Sequence, residues 1–114
     1  MDKLEQYRTL IKQLLRKHES LSQQNRVETI ETHLLFDDEH GRYMLFDTGW
    51  WHKKRIRTPT LYVRLYNDKI WIEEDWTEEG IATELVHAGI AKTDIVLSFH
   101  PPEIQPFTEF AKVV

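Results

Sequence analysis

The chain has 114 residues, 40% hydrophobic and 30% charged, with a net charge of −4. This composition predicts one soluble domain that buries roughly two-thirds of its unfolded surface. No apolar run approaches the ~20 residues needed to cross a bilayer, and the charged start at Asp2 lacks the apolar core of a signal peptide. The absence of cysteine excludes disulfides and thiolate metal sites and fits a cytoplasmic setting, and an acidic total disfavours a domain that binds duplex DNA alone.

Leu4, Tyr7, Leu10, Ile11, Leu14 and Leu15 recur at helical spacing and predict an amphipathic helix over 3–21, followed by a polar loop over 20–25. Alternation of Ile30, Thr32, Leu34 and Phe36 with Glu31, His33 and Leu35 predicts a strand over 30–36. A turn around Gly41 leads to a second strand over 43–50, making a hairpin. Residues 51–55 read as a connection, and 56–66 as a third strand in which Pro59 requires an edge, a bulge or the strand start. Asn67-Asp68 is a tight turn into a fourth strand over 69–74, where Ile70 and Ile72 point one way and Trp71 and Glu73 the other. Thr77 reads as the N-cap of a helix with Glu78 and Glu79 at its positive end. Its apolar stripe is Ile81 and Leu85, flanked by Ala82 and Val86, and Gly89 ends it. Residues 95–97 form a short apolar strand, which His100-Pro101-Pro102 stops. The class is α+β: an N-terminal helix, a four-strand antiparallel meander, a second helix, a short strand and an extended tail, in a single domain over 1–114.

Charge is unevenly spread. Lys3, Arg8, Lys12, Arg16, Lys17 and Arg26 outnumber Asp2, Glu5 and Glu19 at the start. Lys53, Lys54, Arg55, Arg57 and Arg64 form a second basic region, and acids gather at 37–39 and 73–75. The segment from Trp50 through Trp51, His52, Lys53, Lys54 and Arg55 to Arg57 interleaves aromatic and cationic side chains. That pattern suits stacking on bases with phosphate neutralisation, or a protein interface anchored on Trp and Arg. The bland alternative is a charge-guarded hairpin edge with Trp50 buried as a core anchor.

The six histidines fit no metal-ligand spacing. His33 and His52 approach each other only if the hairpin register allows it. His100, beside Pro101, Pro102 and Glu103, reads as a structural anchor because no base or nucleophile stands near it. Glu73, Glu74 and Asp75 invite a metal-dependent nuclease reading if Asp47 or Asp94 approaches them. Helix-terminal and solvated carboxylates explain the cluster without catalysis. No phosphate loop, dinucleotide fingerprint or nucleophile elbow is present, so no catalytic residue, metal or cofactor is assigned.

A resemblance is carried by Lys69-Ile70-Trp71-Ile72, Thr77-Glu78-Glu79-Gly80-Ile81-Ala82, Glu84-Leu85-Val86, Ala88-Gly89-Ile90, Asp94-Ile95-Val96-Leu97 and Phe99-His100-Pro101-Pro102-Glu103. Thr108, Phe110, Ala111, the opening eight residues and the central Gly49-Trp50 extend it. These residues resemble the XisI family, the fdxN element excision controlling factors of cyanobacteria, and most of them are apolar, capping or turn residues. The resemblance implies the same α+β class. It also implies an accessory factor for excising a DNA element by site-specific recombination, with a separate recombinase and a XisH-like partner related to restriction-type nucleases. DNA association would be indirect, and a homo-oligomer stays open. The chain departs from the family pattern at Tyr62 and Arg64, where members carry a histidine and an acid, and at Gln105 and Pro106, where they carry basic residues. The expected surface for a partner or nucleic acid is Trp51, Lys53, Lys54, Arg55, Arg57 and Arg64, and the expected structural motif is Trp50, Trp71, Thr77, Gly80, Gly89, His100, Pro101 and Pro102.

Overall fold

The computed structural model describes residues 2–24, 29–105, 108, 110 and 111. Met1, Arg26, Pro106 and the end of the predicted 20–25 loop at Asn25 lie outside them. The elements, in chain order, are α1 (Lys3–Gln24), β1 (Ile30–Asp37), β2 (Arg42–Trp51), β3 (Lys54–Tyr66), β4 (Lys69–Asp75), α2 (Ile81–His87), a 3₁₀ turn (Lys92–Asp94) and β5 (Ile95–Leu97). The five strands form one sheet in sequential order. The first four are antiparallel neighbours, as the short turns require. β5 lies parallel to β4, with Ile70 opposite Ile95 and Ile72 opposite Leu97. A parallel pair needs a crossover, and α2 provides it. The expected four-strand meander is therefore extended by a fifth strand into a mixed sheet.

One apolar stripe of α1 (Tyr7, Ile11, Leu15) packs on Tyr43, Leu45, Leu61, Val63, Ile70 and Ile72, and α2 adds Ile81 and Leu85 to the same cluster. Both helices thus lie on one face of the sheet. Tyr43 is fully buried, and its hydroxyl is satisfied: Arg8 Nε donates to it at 3.0 Å and it donates to Asp38 at 3.0 Å. Lys12 donates to the other oxygen of Asp38 at 2.7 Å, so the buried ring and the β1–β2 turn are tied to α1. In the N-terminal turns of α1, Tyr7 donates to Asp94, which also pairs with Lys3 at 2.9 Å.

Several expectations change. α1 runs through the polar stretch to Gln24. The 51–55 connection contracts to His52 and Lys53, whose φ values of 49° and 66° are those a two-residue type I′ hairpin demands. Pro59 sits at a bulge: Leu45 pairs with Leu61 but Phe46 with Pro59, leaving Thr60 unpaired to β2. A second bulge leaves Glu73 between the pairs Tyr62–Glu74 and Val63–Ile72. Thr77 is not the N-cap of α2. Its hydroxyl and amide both donate to Asp75 Oδ1, while Asp75 Oδ2 accepts the Ile81 amide at 2.7 Å. The capping oxygen therefore comes from the end of β4, and Glu78 and Glu79 precede the helix. Gly80, at φ 89°, occupies the N-cap position without a side-chain bond. Gly89 does end the helix, at φ 103°, with its amide on Val86 O and the Ile90 amide on Leu85 O. Beyond β5, Ile104 and Gln105 amides return to Pro101 O, so the tail starts as a tight turn and not as an extended segment.

Leu85 has no exposed surface. Leu85→Ala is expected to destabilise the domain by about 2–5 kcal/mol, the cost of lost burial plus a cavity, read as a lower chemical-denaturation midpoint at unchanged slope.

Candidate functional site

Strand parity and the two bulges sort the predicted surface. On β2, Tyr43 and Leu45 face the helices, so Met44, Phe46, Thr48 and Trp50 face away. The register places Arg57 opposite Thr48 and Arg55 opposite Trp50 on that outer face. Lys54 and Trp51 pair on the helix side. The predicted binding set thus divides between two faces: Trp51 and Lys54 on one, Arg55, Arg57 and Arg64 on the other, with Lys53 at the turn.

The basic segment lies on an arm. β1 pairs with β2 only as far as Ile30–Gly49, and β4 pairs with β3 only from Leu61–Asp75 onward. Trp50 to Arg55 therefore project as a two-stranded hairpin, and Ile56 to Pro59 form its base, paired to β2 residues that β1 still flanks. Gly49 sits where the arm leaves the sheet, and a Cβ there would meet the Thr29 carbonyl at 2.0 Å. Trp50 is 54% exposed and Trp51 44%, which overturns Trp50 as a buried core anchor. Its ring lies under the Arg55 guanidinium at 5.5 Å. Lys3, Arg8, Lys12, Lys17 and Arg64 each pair with a carboxylate. Among the described residues, Lys53, Lys54, Arg55 and Arg57 have no such pairing. The net-acidic chain thus presents Lys53, Lys54 and Arg55 with two indoles on the projection and Arg57 at its base, none of the four cations ion-paired among the described residues.

The other predicted residues are placed as follows. Arg64 donates to Glu73 at 2.8 Å and lies over the rings of Tyr66 and Trp71, at 5.5 and 5.8 Å. Trp71 donates its indole N–H to Tyr66 O at 2.7 Å. Glu74 accepts from the Trp76 indole. Asp47 is bonded by Thr32 and Asp94 by Tyr7 and Lys3, so neither joins Glu73 or Asp75. Among the described residues no group of three His, Asp or Glu forms a metal cage. His33 pairs in register with Phe46 and bonds Thr48, six residues along β2 from His52, so the two histidines do not meet. His100 stands half-buried beside Phe99, with Pro101 and Pro102 exposed after it, and its carbonyl accepts from the buried Gln105 amide at 2.9 Å.

Two grooves were not anticipated. One, of about 670 Å³, lies on the helix side between the C-terminal half of α1, the sheet and the β4–α2 loop. In it His18 and Lys17 both bond Glu84, at 2.8 and 2.9 Å. The other, of about 520 Å³, lies on the outer face between Arg64, Trp71 and the turn after β5. Its wall includes Ser98, whose buried Oγ has no hydrogen-bond partner among the described residues. The alternation of Met44 and Phe46, and of Tyr62, Arg64 and Tyr66, was the available signal for the outer face. The groove walls come from segments far apart in sequence and left no local pattern.

This architecture defines a two-layer α+β domain, with both helices on one side of a mixed five-stranded sheet and a basic, indole-bearing hairpin projecting from it. The chain belongs to the XisI family, whose model, described as XisI protein, matches residues 1–112. It is similar to the crystal structure of a XisI-like protein from Anabaena variabilis, with TM-score 0.88 and 28% identity over 96% of this chain and 99% of that one. It is also similar to the fdxN element excision controlling factor XisI from Anabaena variabilis, with TM-score 0.83 and 40% identity over 96% and 98% of the two chains. No curated protein matches the chain.

Burial alone would raise the Glu84 pKa, but the bonds from His18 and Lys17 outweigh it and hold the carboxyl below its ordinary value. A depressed folded-state value means that the unfolded chain binds the proton first. The stabilisation is therefore fully present above the unfolded-state pKa and is lost as pH falls through the folded one. Glu84→Gln is expected to cost about 1–3 kcal/mol near neutrality and to make stability less sensitive to acidification through the carboxylate range. Urea midpoints measured across acidic pH check both.

Proposed function

We propose that the chain is a non-catalytic accessory factor that controls excision of a DNA element, acting through a protein partner of the XisH-like, nuclease-related kind. The excision role rests on family membership together with the likeness to the Anabaena variabilis protein named as an excision controlling factor. The partner mechanism rests on one observation, the projecting hairpin on which Trp51, Lys53 and Lys54 stand exposed without an ion-pair partner among the described residues. Indoles ringed by cations are the residue types that anchor protein interfaces, and uncompensated charge on a projection speeds encounter with an acidic surface. The carboxylates of 73–75 serve Arg64, Trp76 and the start of α2, which supports a scaffold role for them.

Trp51→Ala, or charge reversal at Lys53 and Lys54, is expected to weaken assembly with a XisH-like protein by about 30-fold, the loss of roughly 2 kcal/mol typical of an anchor residue, with the fold unchanged by circular dichroism. Glu73→Gln and His100→Gln are expected to leave the activity of the assembled complex within a few-fold, whereas loss of a true catalytic group costs at least ~100-fold. Unaltered assembly in the hairpin variants would move the interface off the hairpin, and a large activity loss from Glu73→Gln with assembly intact would make the chain a catalytic subunit.

A further inference from the structure

The outer face of the sheet carries no helix, since α1 and α2 both contribute to the cluster on the other side. A sheet face left to water ordinarily alternates to polar residues. Here it carries Phe46 and Tyr62, half-buried, and Trp71 and Tyr66, the last 53% exposed. Tyr66 and Trp71 meet edge to face, with centroids 5.8 Å apart. Arginines interleave with the rings along the stripe: Arg64 is cross-strand from Trp71, Arg57 lies two residues beyond Pro59, and Arg55 faces Trp50 at the end of the arm. Arg64 is already neutralised by Glu73, and Glu74, on the same side, is bonded by the Trp76 indole. Arg55 and Arg57 have no carboxylate within ion-pair distance among the described residues. At the opposite end of the stripe, beside Trp71, lies the groove of about 520 Å³. Into its wall is set the buried hydroxyl of Ser98, which has no hydrogen-bond partner among the described residues, and a base edge can supply one.

We propose that this face binds single-stranded nucleic acid. Tyr66, Trp71, Tyr62 and Phe46 form a sequence of ring surfaces for unstacked bases, Arg55 and Arg57 neutralise phosphates, and the groove beside Trp71 takes one base whose edge bonds Ser98. Rings interleaved with unpaired arginines on an open sheet match a flexible strand of bases and phosphates, because every base offers a π-face. A duplex hides its bases and meets only the cations, which are too few in this acidic chain to hold it. This surface is distinct from Trp51, Lys53 and Lys54 on the helix side and turn of the arm, and it does not depend on the partner assigned to them.

The test is fluorescence anisotropy of the full chain with labelled oligo-dT of about 12 nucleotides and a duplex of equal length. Micromolar binding of the single strand, at least about ten-fold tighter than the duplex, is expected. Its salt slope is expected near −0.7 per phosphate contact, so that Arg55→Ala with Arg57→Ala lowers it by about 1.4. Tyr66→Ala is expected to weaken binding about five-fold or more, whereas Arg16→Ala, removing a positive charge from α1 instead, leaves it unchanged. Ser98→Ala is expected to weaken binding a few-fold without lowering the melting temperature, since the hydroxyl has no partner among the described residues to lose. Thermal melts of every variant separate lost binding from lost fold. Absence of micromolar binding, or binding indifferent to Tyr66→Ala and the arginine pair, overturns the proposal. So does a self-association in analytical ultracentrifugation, or a protein complex, that Tyr66→Ala abolishes while oligo-dT does not bind.

Discussion

Everything in this fold follows from burying one face of the sheet and not the other. Tyr7, Ile11 and Leu15 of α1 and Ile81 and Leu85 of α2 meet the same inward side chains of β2, β3 and β4. Hydrophobic burial of that single layer is the main favourable term available to a chain of this size. Because α1 is long enough to cross several strands, the helical layer does not have to spill onto the second side. The outer side is then free to carry rings and arginines that a second covering helix would have hidden. Even the buried polar atom in the core, the Tyr43 hydroxyl, is turned to the same purpose, since its bonds to Arg8 and Asp38 lock the helix to the hairpin.

Most of the skeleton was legible because periodicity reports burial directly. The three- and four-residue recurrence from Leu4 to Leu15 could only belong to a helix with one wet side. The alternation Ile70-Trp71-Ile72 announced a strand with two unlike sides. What was not legible depended on contacts between distant segments. Thr77 has the chemistry of a cap, but the Asp75 carboxylate reaches the first helical amide instead, and only the turn geometry decides between them. Trp50 has the size of a core residue, yet β1 ends one pair short of it, so there is no layer to bury it. The pairing of β5 with β4 was hidden as well, because three apolar residues carry no sign of direction.

The basic segment shows how a local reading and a three-dimensional one diverge. In sequence, Lys53, Lys54, Arg55 and Arg57 are one cluster. In the sheet they are divided by parity, and the division is set by Thr60, the extra residue of the β3 bulge. If Thr60 instead paired in regular register with Phe46, Arg55 and Arg57 would swing to the helix side and Lys54 and Ile56 would take their place, because a one-residue slip inverts every side chain of a strand. The bulge acts as a phase setter between the core half of β3, where Leu61 and Val63 must face inward, and the projecting half, where the arginines face outward.

The bond from Tyr7 to Asp94 joins residues 87 positions apart, and β5 and Ala111 join the sheet at the very end of the described chain. The stripe of α1 packs on residues of β2 and β3, but its N-terminal turn is completed only when Asp94, which lies beyond four strands and α2, reaches Lys3 and Tyr7. Long-range closures of this kind raise contact order and slow folding. The fold therefore has a latch: the opening turn of α1 is held by the residue that leads directly into the parallel strand β5, so loosening of either end removes a contact from the other.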